Sequence, residues 1–222
     1  RQYMPTTDLP VIANSIEVDE VVPTTADHEL PVVLFVGEML ERNGLVVLMD
    51  ALDILGTRGV TDYELRIVGD NRPGLDPDKD AMTELVTERG RARSMTGPLP
   101  REQVYRELAR ADVYVFPTYS EGQPFTVIES LAAGVPIVAS NIQAIWNMIS
   151  NGENGALVEL GDAEGFADAI QALIEDPEQR RKVSDANRAL AKARFDRSVF
   201  RGRLAELYRL HGRPSRSLLR RR

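Results

Sequence analysis

The chain is predicted to fold as a doubly wound α/β domain, a Rossmann-like parallel sheet with helices on both faces. Three observations predict this. Short apolar runs rich in Val and Ile recur along the sequence. Segments with helical amphipathic spacing separate them. The runs are continuous rather than alternating, as strands covered on both faces require. Strands that alternate with helices of about 10–15 residues make βαβ units, and these build parallel sheets.

The elements follow in order. The segment 10-PVIAN-14 reads as a further strand or a linker. The first clear strand is 32-VVLFV-36. A helix over about 44–56 follows, with Leu45, Leu48, Met49, Leu52 and Leu55 on one face. The second strand is 64-ELRIV-68, and a second helix covers about 79–89. Asp76, Asp78 and Asp80 in 76-DPDKD-80 read as a solvated turn and helix start rather than a metal site. Pro100 starts the helix 101-REQVYRELARA-111, with Glu102 in the first turn, where the helix dipole favours an acid. The strand 113-VYVF-116 leads to a helix that begins near Phe125 and ends before Gly134. The runs 136-PIVA-139 and 156-ALV-158 complete the strands. Asp162 is the expected N-cap of 163-AEGFADAIQALIE-175. Asp176-Pro177 restarts the chain into a long helix to about Arg194.

Composition bounds the function. The 222 residues are 43% hydrophobic and 27% charged, an ordinary globular balance that can bury a core without staples. There is no cysteine, which removes disulfides and thiolate metal sites and fits a reducing, cytoplasmic setting. The two histidines, His28 and His211, lie far apart, so no His-based metal site is expected. No apolar run approaches the roughly 20 residues of a membrane span. The first residues lack the pattern of a secretory leader. The chain opens on Arg1 rather than Met, so an excised piece of a longer protein is expected.

The net charge of −7 argues against nucleic-acid binding. From Arg197 to Arg222, nine arginines face one acid, Glu206, a net of +8 that leaves −15 on the remainder. This end reads either as a solvated helix with a frayed tail or as a patch for an anionic membrane surface or a partner domain.

Unusual residues collect after the strands. Gly37-Glu38 follows the first, Gly69-Asp70-Asn71 the second, Pro117 through Gln123 the run 113–116, and Ser140-Asn141 the run 136–139. Ligands of open parallel sheets bind beyond the strands' carboxyl ends, so this edge is the expected cleft. Ordinary βα turns also use Gly, Asp and Asn, which accounts for single positions but not for the long 117–124 loop. If a helix begins near Phe125, its free N–H groups face that loop and suit a phosphate. Gly122 lets a backbone approach a ligand, and Pro124 pre-sets the helix start. Glu121 and Glu129 then bracket the anion site, each able to accept hydroxyl hydrogen bonds, as an extended nucleotide sugar needs. The competing readings are a loop acid for Glu121 and a solvated helix acid for Glu129.

At these residues the sequence resembles the C-terminal domain of the retaining glycosyltransferases of family 4, the two-domain GT-B enzymes. The resemblance runs from about Val11 to Leu210. Its core is the E-x7-E element Glu121–Glu129 followed by 130-SLAAGVPIVAS-140. Further matches are 35-FVG-37, 67-IVGD-70, 96-TGPLPREQV-104, 111-ADVYVFPTYSEG-122, 151-NGENGALV-158 and the lead-in 12-IANSIEVDEVVP-23. The resemblance implies one half of a GT-B architecture, with residues 1–210 as the donor-binding domain and 211–222 as a basic tail. It implies a nucleotide-diphosphate sugar as donor substrate, with no metal and no separate cofactor. A Rossmann-like N-terminal acceptor domain would be the missing partner, and a peripheral membrane surface a further one.

By position, Glu129 would hold the ribose hydroxyls. Glu121 would serve as the catalytic carboxylate beside the donor sugar. Amides of Gln123, Pro124-Phe125 and Thr126 would cradle phosphate or sugar oxygens, with Gly37 and Gly122 allowing close approach. The segment 93–99, with Gly97, would flank the base. The chain departs from the family where an Arg and a Lys engage the diphosphate: Glu38 and Asn43 stand there, with Arg42 as the nearest substitute. Gln143-Ala144 replaces the usual Gly-Gly, and Asn147 the Glu that often follows. Two readings therefore stand. One is the donor half of a hexosyl transfer enzyme. The other is a glycosyltransferase-like binding or regulatory module with impaired chemistry. A nicotinamide-binding domain is disfavoured, because no G-x-G-x-x-G follows the first strand.

Overall fold

Six strands pair in parallel: β1 (Val32–Val36), β2 (Glu64–Val68), β3 (Met95–Gly97), β4 (Val113–Phe116), β5 (Ile137–Ser140) and β6 (Gly155–Val158). Across the sheet their order is β3-β2-β1-β4-β5-β6. The helices are α1 (Leu45–Thr57), α2 (Pro77–Glu88), α3 (Arg101–Arg110), α4 (Phe125–Ala133), α5 (Ala163–Glu175), α6 (Pro177–Arg194) and α7 (Arg197–His211). This computed structural model describes residues 12–24, 29–72, 74 and 76–211.

Alternation along each strand builds two cores. Leu34, Val36, Tyr114 and Phe116 face one side, with α3 and α4 residues such as Leu108, Ile128 and Leu131. Val33, Phe35, Val113 and Val115 face the other, with α1, α2 and α5. Successive side chains of a strand point to opposite faces, so a strand covered twice must be apolar throughout. β1, β4 and β5 are buried at every position.

The caps follow the sequence chemistry. Asp162 Oδ1 accepts from the Gly165 amide at 2.9 Å and starts α5. Asp176 Oδ1 accepts from Gln179 at 2.8 Å, with Pro177 opening α6. Asp76 caps α2, which begins at Pro77, two residues before the expected 79, because Pro suits a first helical position. The 76–80 acids are thus a capped helix start.

One strand was not expected, and the lead-in is settled as a linker. β3 is a sixth strand. It is three residues long and only half-buried at the sheet edge, so it leaves no apolar run to read. Residues 12–14 form no strand, and positions 10 and 11 of that expected segment lie outside the described residues. Ile16 instead ties the lead-in to the α6–α7 junction: its amide donates to Phe195 O at 3.0 Å and its carbonyl accepts from Arg197 at 2.9 Å. Gly134 ends α4 at φ +85°, and a Cβ there would crowd Ser184 Oγ and the Arg188 stem. The small residues closing α4 therefore admit α6. Of the basic end, residues 212–222 lie outside the described residues. No described helix is long and apolar enough to cross a membrane.

The connections reverse direction between β1 and β4. β1, β2 and β3 progress one way across the sheet, and β4, β5 and β6 the other. That reversal opens a crevice beyond the carboxyl ends of β1 and β4.

Candidate functional site

A cleft of about 590 Å³ occupies that crevice. Gly37, Glu38, Arg42 and Asn43, after β1, form one wall. Glu121, Gly122, Gln123, Pro124, Phe125 and Thr126, after β4, form the other. Phe35, Val36 and Phe116 supply apolar lining between them. The walls are tied together, since the Tyr119 amide and the Thr118 hydroxyl both donate to Arg42 O, at 2.9 and 3.3 Å. Gly44 makes this approach possible: its φ is +79°, and a Cβ would run into the Pro117 carbonyl.

The α4 N-terminus opens on the second wall, and no side chain caps it. Its first amides have no partner within the helix, the arrangement that binds anions. The space a Cβ would take at Gly122 is empty of other protein atoms for 4 Å. Gln123 is held by the lead-in. Its side-chain oxygen accepts from the Asn14 amide, and its carbonyl accepts from Asn14 Nδ2 at 2.9 Å.

Glu38 is not the isolated repulsive carboxylate that its sequence position suggests. Arg42 Nη2 lies 3.2 Å from Glu38 Oε2, and Lys79 Nζ 3.4 Å from Oε1. Lys79 also reaches Asp70 at 3.8 Å. Arg72 hydrogen-bonds Asp70 and holds its carboxyl well below the usual range. Asn43 donates to the Glu38 carbonyl at 2.9 Å, so its amide closes the loop. Lys79 brings a second cation to this wall, from 41 positions away, and no sequence motif marked it.

Glu129 is only 7% exposed and does not line the cleft. Tyr105 donates to its Oε1 at 3.3 Å, and Arg101 Nη2 stands 3.4 Å away. Arg101 Nε donates to the Tyr105 hydroxyl at 2.6 Å, and its guanidinium lies 5.2 Å from that ring's centre. Burial raises the Glu129 carboxyl above its ordinary range, while Arg101 and the Tyr105 hydrogen bond oppose the shift. Tyr105 is itself pushed up to about 12, by burial and then by the Glu129 charge. Arg101 and Tyr105 were not among the expected site residues; their spacing of four on one helix face was the available signal.

Tyr114 is fully buried beside the cleft lining. Its hydroxyl donates to Val36 O at 3.3 Å. Burial raises its pKa, and the charges of Glu129 and Glu121 add to the effect. Glu121 is exposed on the cleft wall. Glu121 precedes α4 in solvent, and Glu129 lies about one turn into it, under the surface. Gly97 is set apart from them, at the end of the edge strand β3, with φ +77° and facing Asn71. The free α4 amides beside the exposed Glu121 suit a ligand that carries an anion next to hydroxyls.

Known proteins share this architecture. The family profile described as Glycosyl transferases group 1 matches residues 19–190. The lipopolysaccharide core biosynthesis glycosyltransferase LpsE of Rhizobium meliloti is 28% identical over 171 residues, 77% of this chain and 47% of that protein. The phosphatidyl-myo-inositol mannosyltransferase of Mycolicibacterium smegmatis is 31% identical over 179 residues, 79% of this chain and 44% of that protein. The chain thus spans about half the length of the curated relatives it matches. Among solved structures, Anabaena HepE in complex with UDP and glucose superposes with a TM-score of 0.78 at 20% identity, covering 90% of this chain and 56% of that one. The C-terminal domain of a group 1 glycosyl transferase, LpcC of Francisella tularensis, gives 0.69 at 19% identity, covering 82% of this chain and all of that one.

Proposed function

The chain belongs to the glycosyl transferases group 1, and on that premise we propose that it is the donor-binding half of a retaining hexosyltransferase of glycoconjugate synthesis. The observation that carries this reading is the uncapped α4 N-terminus opening on a cleft at the β1/β4 switch point, with Glu121 on the cleft wall. The diphosphate sits against the α4 amides and the Arg42 side of the opposite wall. Glu129 accepts from the ribose hydroxyls once Arg101 swings aside. Glu121 accepts from hydroxyls of the donor sugar. Gly97 flanks the base from the outer edge.

In transfer, the bond between the sugar's anomeric carbon and the diphosphate breaks. A bond to the acceptor hydroxyl oxygen forms with the same anomeric configuration, the nucleoside diphosphate leaves with the bonding electrons, and the acceptor's hydroxyl proton passes to the departing phosphate oxygen. Oriented amides and a cation stabilise that charge where it develops. An N-terminal acceptor domain supplies the acceptor, and the isolated chain turns nothing over. A cytoplasmic setting, with the basic end near an anionic membrane surface, fits relatives whose names include a lipopolysaccharide core and a phosphatidyl-inositol enzyme.

Asn43 favours a second reading, a binding module with impaired chemistry. Its amide is committed to the Glu38 carbonyl, in place of a diphosphate cation. Thermal shift against a panel of nucleoside diphosphates tests the donor site. A raised Tm with one or more supports it; no shift at millimolar concentration with any of them contradicts it. Sugar transfer by the chain joined to an acceptor half separates enzyme from module.

A further inference from the structure

Trp146 is the chain's single tryptophan and is 58% exposed. It lies in the turn after β5, between Ile145 and Met148 on its two sides, both buried and both anchoring the turn. Its indole N–H donates to Asn141 Oδ1 at 2.7 Å. Asn141 Nδ2 donates to Glu159 Oε1 at 2.8 Å, and the Asn141 amide donates to Val158 O at 2.7 Å. The one polar atom of the side chain is thereby satisfied within the protein. The ring's orientation is set by the carboxyl ends of β5 and β6. A flat apolar surface remains in water, on the edge that also carries the cleft.

Leaving an aromatic of this size exposed forgoes burial energy, and a ring already held in one orientation loses little freedom on binding. Its margin is polar: Asn141 and Glu159 keep spare acceptor and donor capacity beyond the bonds they make. A pyranose ring is the complementary shape, with an apolar C–H face ringed by hydroxyls. Amphipathic rings such as Trp serve where one side of a contact is apolar and the other wet. β5 is the neighbour of β4, so the indole stands one strand from the cleft wall that carries Glu121.

We propose that Trp146 is a stacking platform for a pyranose ring, with Asn141 and Glu159 taking its hydroxyls. The inference rests on the donor-cleft reading for which sugar arrives there, not for the platform itself. The ring is either the donor's hexose or a sugar of the acceptor.

As the only tryptophan, Trp146 reports on itself. Its fluorescence should be followed in the whole chain during titration with UDP-glucose, GDP-mannose, their nucleoside diphosphates, and methyl pyranosides or short oligosaccharides. A blue-shifted, saturable change is expected with sugar-bearing ligands and none with the diphosphates. A response to sugar nucleotides alone assigns the donor hexose; a response to glycosides alone assigns the acceptor. Trp146→Ala should weaken the responding ligand about three- to tenfold, by calorimetry, with Trp146→Phe recovering most of it. Diphosphate affinity should stay within about twofold in both variants. Emission unchanged by every sugar, or sugar affinity equal in Trp146→Ala and wild type, overturns the platform and leaves this face to a protein contact. Failure of the nucleoside diphosphates to bind overturns the donor-site reading instead; the glycoside arm then decides the platform alone.

Discussion

Arg101 Nη2 stops 3.4 Å from Glu129 Oε1, so a 54%-exposed side chain reaches in to a carboxylate that is itself buried. Removing a carboxylate from water favours its neutral form, and a nearby cation restores the charge. Burial is the stronger influence here, so the net direction is upward.

The sign of the resulting pH dependence follows. The folded state holds the Glu129 proton more tightly than the unfolded chain does. Stability from this group is full below the unfolded value near 4.5 and is lost as pH rises through the raised folded value. Glu129→Gln should therefore stabilise the ligand-free chain at pH 7, by about 1 kcal/mol, since the exposed Arg101 returns to water at little cost. Urea unfolding at pH 5 and pH 7 checks this, and the gain should be larger at pH 7.

Ligand binding should show the opposite trend. A ribose hydroxyl donates to an ionised carboxylate better than to a neutral one. Nucleoside diphosphate affinity should fall as pH drops through the Glu129 transition. Arg101→Met removes the charge that opposes burial, so the fall should begin at higher pH. Calorimetry across pH 5–8, on wild type and variant, reads both curves.

On the opposite wall, Glu38 draws Arg42 and Lys79 onto itself. Glu38→Gln frees both for a diphosphate. Exposed pairs are worth about 0.2–1 kcal/mol, so binding should tighten about two- to fivefold. The gain should fade in 0.5 M salt, which screens exposed charges.

Two structural substitutions separate folding from binding. Gly44→Ala should cost about 2 kcal/mol more than Gly59→Ala, because both glycines are left-handed but only Gly44 faces an obstacle, the Pro117 carbonyl. Asp112 accepts from the Val32 amide at 2.9 Å and pairs with Arg180 at 3.3 Å, joining the starts of β1 and β4 to α6. Asp112→Ala should cost about 3 kcal/mol, since it takes the carboxylate from a largely buried arginine and the acceptor from the buried Val32 amide. Denaturant midpoints measure both, and the folded Asp112→Ala chain should bind diphosphate as wild type does.

Much of the fold was legible because buried parallel strands are continuous apolar runs. The runs 32–36, 64–68 and 113–116 coincide with β1, β2 and β4. β3 escaped because Met95, Thr96 and Gly97 are half-buried on an edge and carry no period. The two cleft walls were legible because ligand loops follow strands. Their side-chain partnerships were not. Lys79 meets Glu38 across 41 positions and Asn14 meets Gln123 across 109, and only the folded chain brings such residues together. Burial of Glu129 could be inferred from its apolar neighbours Val127, Ile128 and Leu131; its pairing with Arg101 depends on how α3 lies against α4.

The donor-site account is tested most directly by calorimetric titration of wild type, Glu129→Ala and Glu121→Ala with a nucleoside diphosphate and its sugar-bearing donor. Loss of a hydrogen bond to a charged group costs on the order of 1.5–3 kcal/mol, or more than tenfold in affinity. Glu129→Ala should weaken both ligands by that amount. Glu121→Ala should weaken only the sugar-bearing one and leave the diphosphate within about twofold. Equal affinity of wild type and Glu129→Ala for the diphosphate, or binding of neither ligand by wild type, would contradict the account.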